Sequence, residues 1–175
     1  RDNIRLMETK IIPSVIASNQ KELVEKIEKV MDFVERIHLD IFDGIFVPNK
    51  SLNFDFRLPE NGPKFEAHLM IQNPDRWIKQ NWQKVDTILA PIESSKNPKE
   101  LIEFLKGKKK FGFALNPETE ISRVKDYLDQ IDQVVIVTGD RDALQLVADE
   151  AVVVYMPGRG KIPAKLYDEE LSKPL

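Results

Sequence analysis

The chain has 175 residues, which suits one domain and is short for two full cores. Its 42% hydrophobic and 31% charged residues are ordinary for a globular protein, and no apolar run approaches the roughly 20 residues that span a bilayer. A formal net charge of −3 gives no general attraction for nucleic acid or anionic membranes. The absence of cysteine excludes disulfides and thiolate metal sites and fits a reducing compartment, so the expected location is cytoplasmic. No cleavable signal pattern opens the chain, which starts on Arg1 rather than Met, as a fragment or a processed product would.

Short apolar runs alternate with amphipathic segments. The strand-like runs are IIPSVIA (11–17), RIHLDIF (36–42), FEAHLMI (65–71), TILAPIE (87–93), FGFALN (111–116), QVVIVTG (133–139) and AVVVYM (151–156). Between the first two, Leu23, Ile27, Val30, Met31 and Val34 share one helical face, and Asn19 with Glu22 forms a capping-box pattern. Asn-Pro recurs at 73–74, 97–98 and 116–117, each time between a strand and a helical pattern, where Asn suits the N-cap and Pro the first helical position. These repeats predict βα units and hence a parallel sheet or barrel. The irregular stretch 49–63 is long enough for a functional loop, and the lysine run 106–110 reads as a solvated helix end with Gly107 as its stop.

Only two histidines occur, and both lie within strand-like runs. In RIHLDIF, alternation puts His38 and Asp40 on one face and the aliphatic residues on the other. In FEAHLMI the same parity groups Glu66, His68 and Met70, and in IIPSVIA it groups Ser14 with Ile12 and Ile16. In a parallel barrel the aliphatic face packs under the helices, which leaves His38, Asp40 and His68 near the C-terminal strand ends where such barrels do chemistry. Imidazole and carboxylate are ligands for zinc and other first-row divalent metals. The alternative is structural: hydrogen-bonded core histidines, with Asp40 setting a tautomer.

HLDIFDGIFVPN (38–49) resembles the signature of the ribulose-phosphate 3-epimerase family. IIPSVIAS resembles that family's first strand, AHLMIQNPDRW (67–77) its third strand and following helix, and residues 111–137 its fifth strand, helix and sixth strand. The resemblance implies an incomplete TIM-type (β/α) barrel, with about six or seven of the eight strands. It implies a divalent metal (zinc, iron or manganese) held by His38, Asp40 and His68, with Asp40 also one of two acid/base carboxylates. Ser14, His68 and Met70 would touch the substrate, a small phosphorylated sugar, and the reaction would interconvert D-ribulose 5-phosphate and D-xylulose 5-phosphate. Asp43 and Asn49 belong to the motif and are expected to shape its loop by local hydrogen bonds.

Several family features have no counterpart here. The Val-Asp-Gly-Gly run that supplies the fourth ligand and second acid/base is missing, as are the glycine-rich phosphate loop after strand six and the Gly-Ser pair after strand eight. TILAPIESS stands where the family usually has a histidine. From about Val134 the chain resembles instead the 5′ nuclease domain of bacterial DNA polymerase I, which implies a magnesium site at Asp140 and Asp142 and nucleic acid as an alternative partner. The competing reading of TGDRDALQLV is a helix start with acids in its first turn. The expected organisation is an epimerase-like partial barrel over 1–137 and a nuclease-like segment over 138–175, packed as a continuation of the same domain. AVVVYM would add beside VVIVT as a seventh strand, leaving an open edge that a second copy of the chain can cover.

Overall fold

The computed structural model describes residues 12–137, 152–156 and 165–167. Its strands are β1 (Ser14–Val15), β2 (Arg36–Asp43), β3 (Lys50–Ser51), β4 (Lys64–Met70), β5 (Thr87–Pro91), β6 (Lys110–Leu115), β7 (Gln133–Val137), β8 (Val152–Met156) and β9 (Lys165–Tyr167). Among the described residues three α-helices are interleaved: α1 (Gln20–Glu28), α2 (Pro74–Asn81) and α3 (Pro98–Leu105). The sheet order is β1-β2-β4-β5-β6-β7-β8-β9, with β3 paired to β2. Apart from the short antiparallel β2–β3 pair, the ladders from β1 to β8 are parallel, so among the described residues seven parallel strands form an incomplete α/β barrel of the TIM type. Among the described residues no ladder joins β1 to β9.

AVVVYM does extend the sheet beside β7, as its sequence predicts. Among the described residues the sheet stays open as expected, but β8 is not its last strand. β9 runs antiparallel along β8, pairing Val154 with Tyr167 and Met156 with Lys165, so the chain's own backbone meets that edge. No described helix is long and apolar enough to cross a membrane.

Local chemistry accounts for the helix starts. Asn19 Oδ1 accepts from Glu22 N at 3.0 Å, capping α1. The reciprocal arm of the capping box reaches one residue further back, with Glu22 Oε2 accepting from Ser18 N at 2.8 Å. The helix stops at Glu28, shorter than the predicted face; Leu23 and Ile27 are buried on it, while Val30, Met31 and Val34 pack on the core from the turns beyond. Asn73 caps α2 through Arg76 N at 3.2 Å, whereas Asn97 makes no side-chain cap bond at α3. Gly107, with φ +71°, follows the C-cap of α3 and turns the chain into β6, as the lysine run predicts.

The third Asn-Pro departs from the predicted pattern. Residues after Asn116-Pro117 form two 3₁₀ turns, Ile121–Arg123 and Lys125–Tyr127, in place of a helix. Glu93 Oε1 takes both Asn116 N (2.8 Å) and Thr119 Oγ1 (2.5 Å), holding this corner to the loop after β5. A run of i→i+3 bonds follows, and Val124 and Tyr127, three residues apart, pack on the core at the period of a 3₁₀ turn.

The aliphatic faces of the strands meet the helices in one core. Ile37, Leu39, Ala67, Leu69 and Ile88 are fully buried there with Leu23, Ile78 and Leu105 from the helices. The irregular stretch 49–63 is partly core as well: Leu52 and Phe56 are buried, Leu52 N donates to Ala17 O, and Ala17 N donates to Ser51 Oγ. It therefore ties the end of β1 to β2.

Candidate metal centre

The parallel registers decide what the inward-facing side chains meet. Ser14 stands opposite His38, His38 opposite Glu66, and Asp40 opposite His68. Because neighbours in register on one face lie side by side, the polar residues of three adjacent strands converge inside the sheet's curve.

Asp40 is the hub. Its Oδ1 is 3.3 Å from His38 Nε2 and 3.4 Å from His68 Nδ1, and its Oδ2 accepts a hydrogen bond from the Ser14 hydroxyl. One donor atom from each of His38, Asp40 and His68 lies within 4.8 Å of the other two. The rings of the two histidines are 5.3 Å apart and inclined at 64°. Asp40 and His68 are buried, at 6% and 1% exposure, and neither Asp40 Oδ1 nor His68 Nδ1 has a hydrogen bond of acceptable geometry.

Orphaned buried polar atoms are rare and need a cause. Two ligands about 2.0–2.1 Å from a tetrahedral ion lie roughly 3.3–3.4 Å apart, the spacing Asp40 Oδ1 keeps from each imidazole nitrogen. A divalent ion fits these donors in type, number and position, and it would satisfy both orphaned atoms. The structural alternative, a histidine simply hydrogen-bonded to Asp40, does not account for the His68 nitrogen and the Asp40 oxygen left without one.

The electrostatics follow from the same contacts. Burial opposes charge on His38, but the neighbouring carboxylates of Asp40 and Glu66 outweigh it, raising its pKa to about 9. Burial alone would raise the Asp40 pKa; the two histidines overcome it and hold the carboxyl far below the usual range. His68, fully enclosed, is pushed down by burial, with the charge of His38 adding to the effect, so it stays neutral.

Glu66 is the residue to which sequence parity assigns a face but no role. Its Oε1 is 2.8 Å from His38 Nδ1, and its Oε2 accepts from Arg36 Nη1 (3.3 Å) and Gln133 Nε2 (3.1 Å). A glutamate two residues before His68, on the same inward face of the strand, is the signal in the sequence that marks it.

Met70 ends β4 on the His68 face and is half-buried. Asp43 shapes the loop as its motif position predicts: Oδ1 accepts from Ile45 N and Phe46 N, and Oδ2 from Gln72 N at 2.7 Å. Burial works against its charge, but these three N–H groups prevail and lower its pKa. The turn needs Gly44, whose φ is +78°. Asp140 and Asp142 lie outside the described residues.

The model of the ribulose-phosphate 3-epimerase family matches residues 10–143. The chain belongs to this family. It is 31% identical over 137 residues to the ribulose-phosphate 3-epimerase of Methanocaldococcus jannaschii, covering 74% of this chain and 57% of that one. To the Bacillus subtilis enzyme of the same name it is 28% identical over 135 residues, 74% of this chain and 62% of that one. To that of Eremothecium gossypii it is 26% identical over 145 residues, 73% and 61%. The chain thus spans about three-fifths of the length of these curated relatives.

Proposed function

We propose that the chain carries the metal-assisted proton transfer of a ribulose-phosphate 3-epimerase, acting at the carbon next to the ketone that separates D-ribulose 5-phosphate from D-xylulose 5-phosphate. The observation that carries this reading is the convergence of His38, Asp40 and His68 on one point inside the barrel, with two of their buried atoms unsatisfied. Those three residues would hold a zinc, iron or manganese ion, which supplies Lewis-acid stabilisation of negative charge developing on the substrate oxygens.

The chain's own groups have separable tasks. Asp40 is ionised throughout the neutral range, since its pKa is held so low. Its Oδ1 faces the histidines, which leaves Oδ2 as the oxygen that takes the proton from carbon, steered by the Ser14 hydroxyl. When His38 gives up its proton to become a ligand, one of the charges depressing Asp40 leaves with it. Met70 and His68 border the substrate on the β4 side, and Leu89, in register with His68, helps keep this layer dry.

Inversion needs a proton donor on the opposite face, and among the described residues Asp40 is the sole carboxylate of the three-residue cluster. The step assigned to this chain is accordingly the one-faced step, removal and return of the carbon-3 proton. Incubation with ribulose 5-phosphate and manganese in deuterium oxide, followed by proton NMR at carbon 3, tests it. Loss of the carbon-3 signal is expected, slowed at least about 100-fold in Asp40→Asn. Equal exchange in the variant and the wild type would remove Asp40 from the role.

A further inference from the structure

The proposed metal centre leaves one buried acid without a task. Glu66 is 6% exposed, and a carboxylate is not buried without compensation. Its compensation comes from two strands besides its own: His38 and Arg36 on β2, and Gln133 on β7. The contact to His38 is the shortest of the three, at 2.8 Å against 3.1 Å and 3.3 Å. An acid kept only as the ion-pair partner of Arg36 would make its best contact there. Gln133 is brought close by Gly112, where an added Cβ would stand 2.3 Å from the Gln133 carbonyl oxygen.

Each oxygen of Glu66 has its own duty. Oε2 is anchored by Gln133 and Arg36, so the carboxylate cannot swing. Oε1 is aimed at His38 Nδ1, and a carboxylate oxygen accepts, so Nδ1 must carry the proton. In the neutral ring, the form that can ligate, the other nitrogen, Nε2, is then the one with the lone pair, and it faces Asp40 Oδ1 at 3.3 Å. We propose that Glu66 is a positioning residue that fixes the tautomer and ring orientation of His38, presenting Nε2 to a divalent ion shared with Asp40 and His68. The inference rests on the metal-site reading and deepens it. Carboxylate partners of ligand histidines typically account for 10–100-fold in metal affinity (roughly).

Two measurements on the full chain decide it. The first is the Zn2+ dissociation constant of wild type and Glu66→Gln, by competition with a chromophoric chelator. Glutamine keeps the size and one acceptor oxygen but loses the charge, and a loss of about 10–100-fold is expected. Binding by wild type with Glu66→Gln within about twofold would overturn the role of Glu66 while leaving the metal site intact. No Zn2+ binding by wild type would overturn the metal site and this inference together. The second measurement is nitrogen NMR of His38 in the Zn2+-loaded wild type, which does not depend on the variant folding. A protonated Nδ1 with Nε2 on the metal is expected, and the reverse assignment overturns the proposal.

Discussion

Asp40 and His68 stand opposite one another in the β2–β4 ladder, and Asp40 Oδ1 lies 3.4 Å from His68 Nδ1. Both atoms are buried and lack a hydrogen bond, so the pair costs stability unless a third party completes it. A divalent ion would do so with no change of side-chain type.

The first expectation is therefore metal content. Mass spectrometry of the purified chain should find near-stoichiometric zinc, iron or manganese, and His68→Ala should weaken binding at least about tenfold. A folded, metal-free wild-type chain that also fails to take up added metal would mean the cluster is structural only.

Protons would compete with a metal at His38. With its pKa raised to about 9, His38 carries a proton at neutral pH that must leave before it can ligate. Metal affinity should rise close to tenfold per pH unit (roughly) from pH 7 to 9, then level off. Calorimetry in buffers of different ionisation enthalpy should show about one proton released per ion at pH 7. An affinity independent of pH over that range would contradict the assignment.

The same contacts shape the stability of the metal-free chain. His38 has a folded-state pKa raised from 6.5 to about 9, so its contribution is complete below about pH 6.5 and is lost as pH climbs through 9. Asp40 and Glu66 are depressed below 3.8 and 4.5, so theirs is present above those values and lost in acid. His68, depressed below 6.5, must stay neutral when folded and costs stability as pH falls beneath that value. Thermal melts should peak at about pH 6.5 and decline on both sides. A melting temperature that keeps rising from pH 7 to 9.5 would rule out the His38–carboxylate coupling.

The two Asn-Pro helix starts separate a working cap from an idle one. Asn73→Ala should cost about 1 kcal/mol, because Asn73 Oδ1 accepts from Arg76 N. Asn97→Ala, with no side-chain cap bond to lose, should fall within about 0.5 kcal/mol of wild type. Urea titration of both variants checks the difference, and equal losses would contradict it.

Gly112 is required by close approach rather than by its backbone angles. A methyl group there meets the Gln133 carbonyl oxygen at 2.3 Å and its Cγ at 2.7 Å. Gly112→Ala should destabilise the chain by about 1–3 kcal/mol, read from the denaturation midpoint. A neutral effect would show that β6 and β7 can part without penalty.

Residue type and spacing alone carried much of this molecule. Alternation in RIHLDIF and FEAHLMI put His38 with Asp40 and Glu66 with His68, because side-chain period in a strand is a local property. Asn19 and Gly107 marked their helix ends for an equally local reason, the orphan N–H and C=O groups of a few neighbouring residues. The helix expected after Asn116 is replaced by two 3₁₀ turns, at a corner that Glu93, 23 residues back, pins through Asn116 N and Thr119 Oγ1. Tertiary structure alone decided the β2–β4 register that sets Asp40 against His68, and a shift of one residue would have faced the histidine to the helices. It also decided that Gln133, 67 positions along the chain from Glu66, steadies the acid beneath His38. Such pairings depend on how strands are laid together, a relation between distant segments that no local periodicity contains.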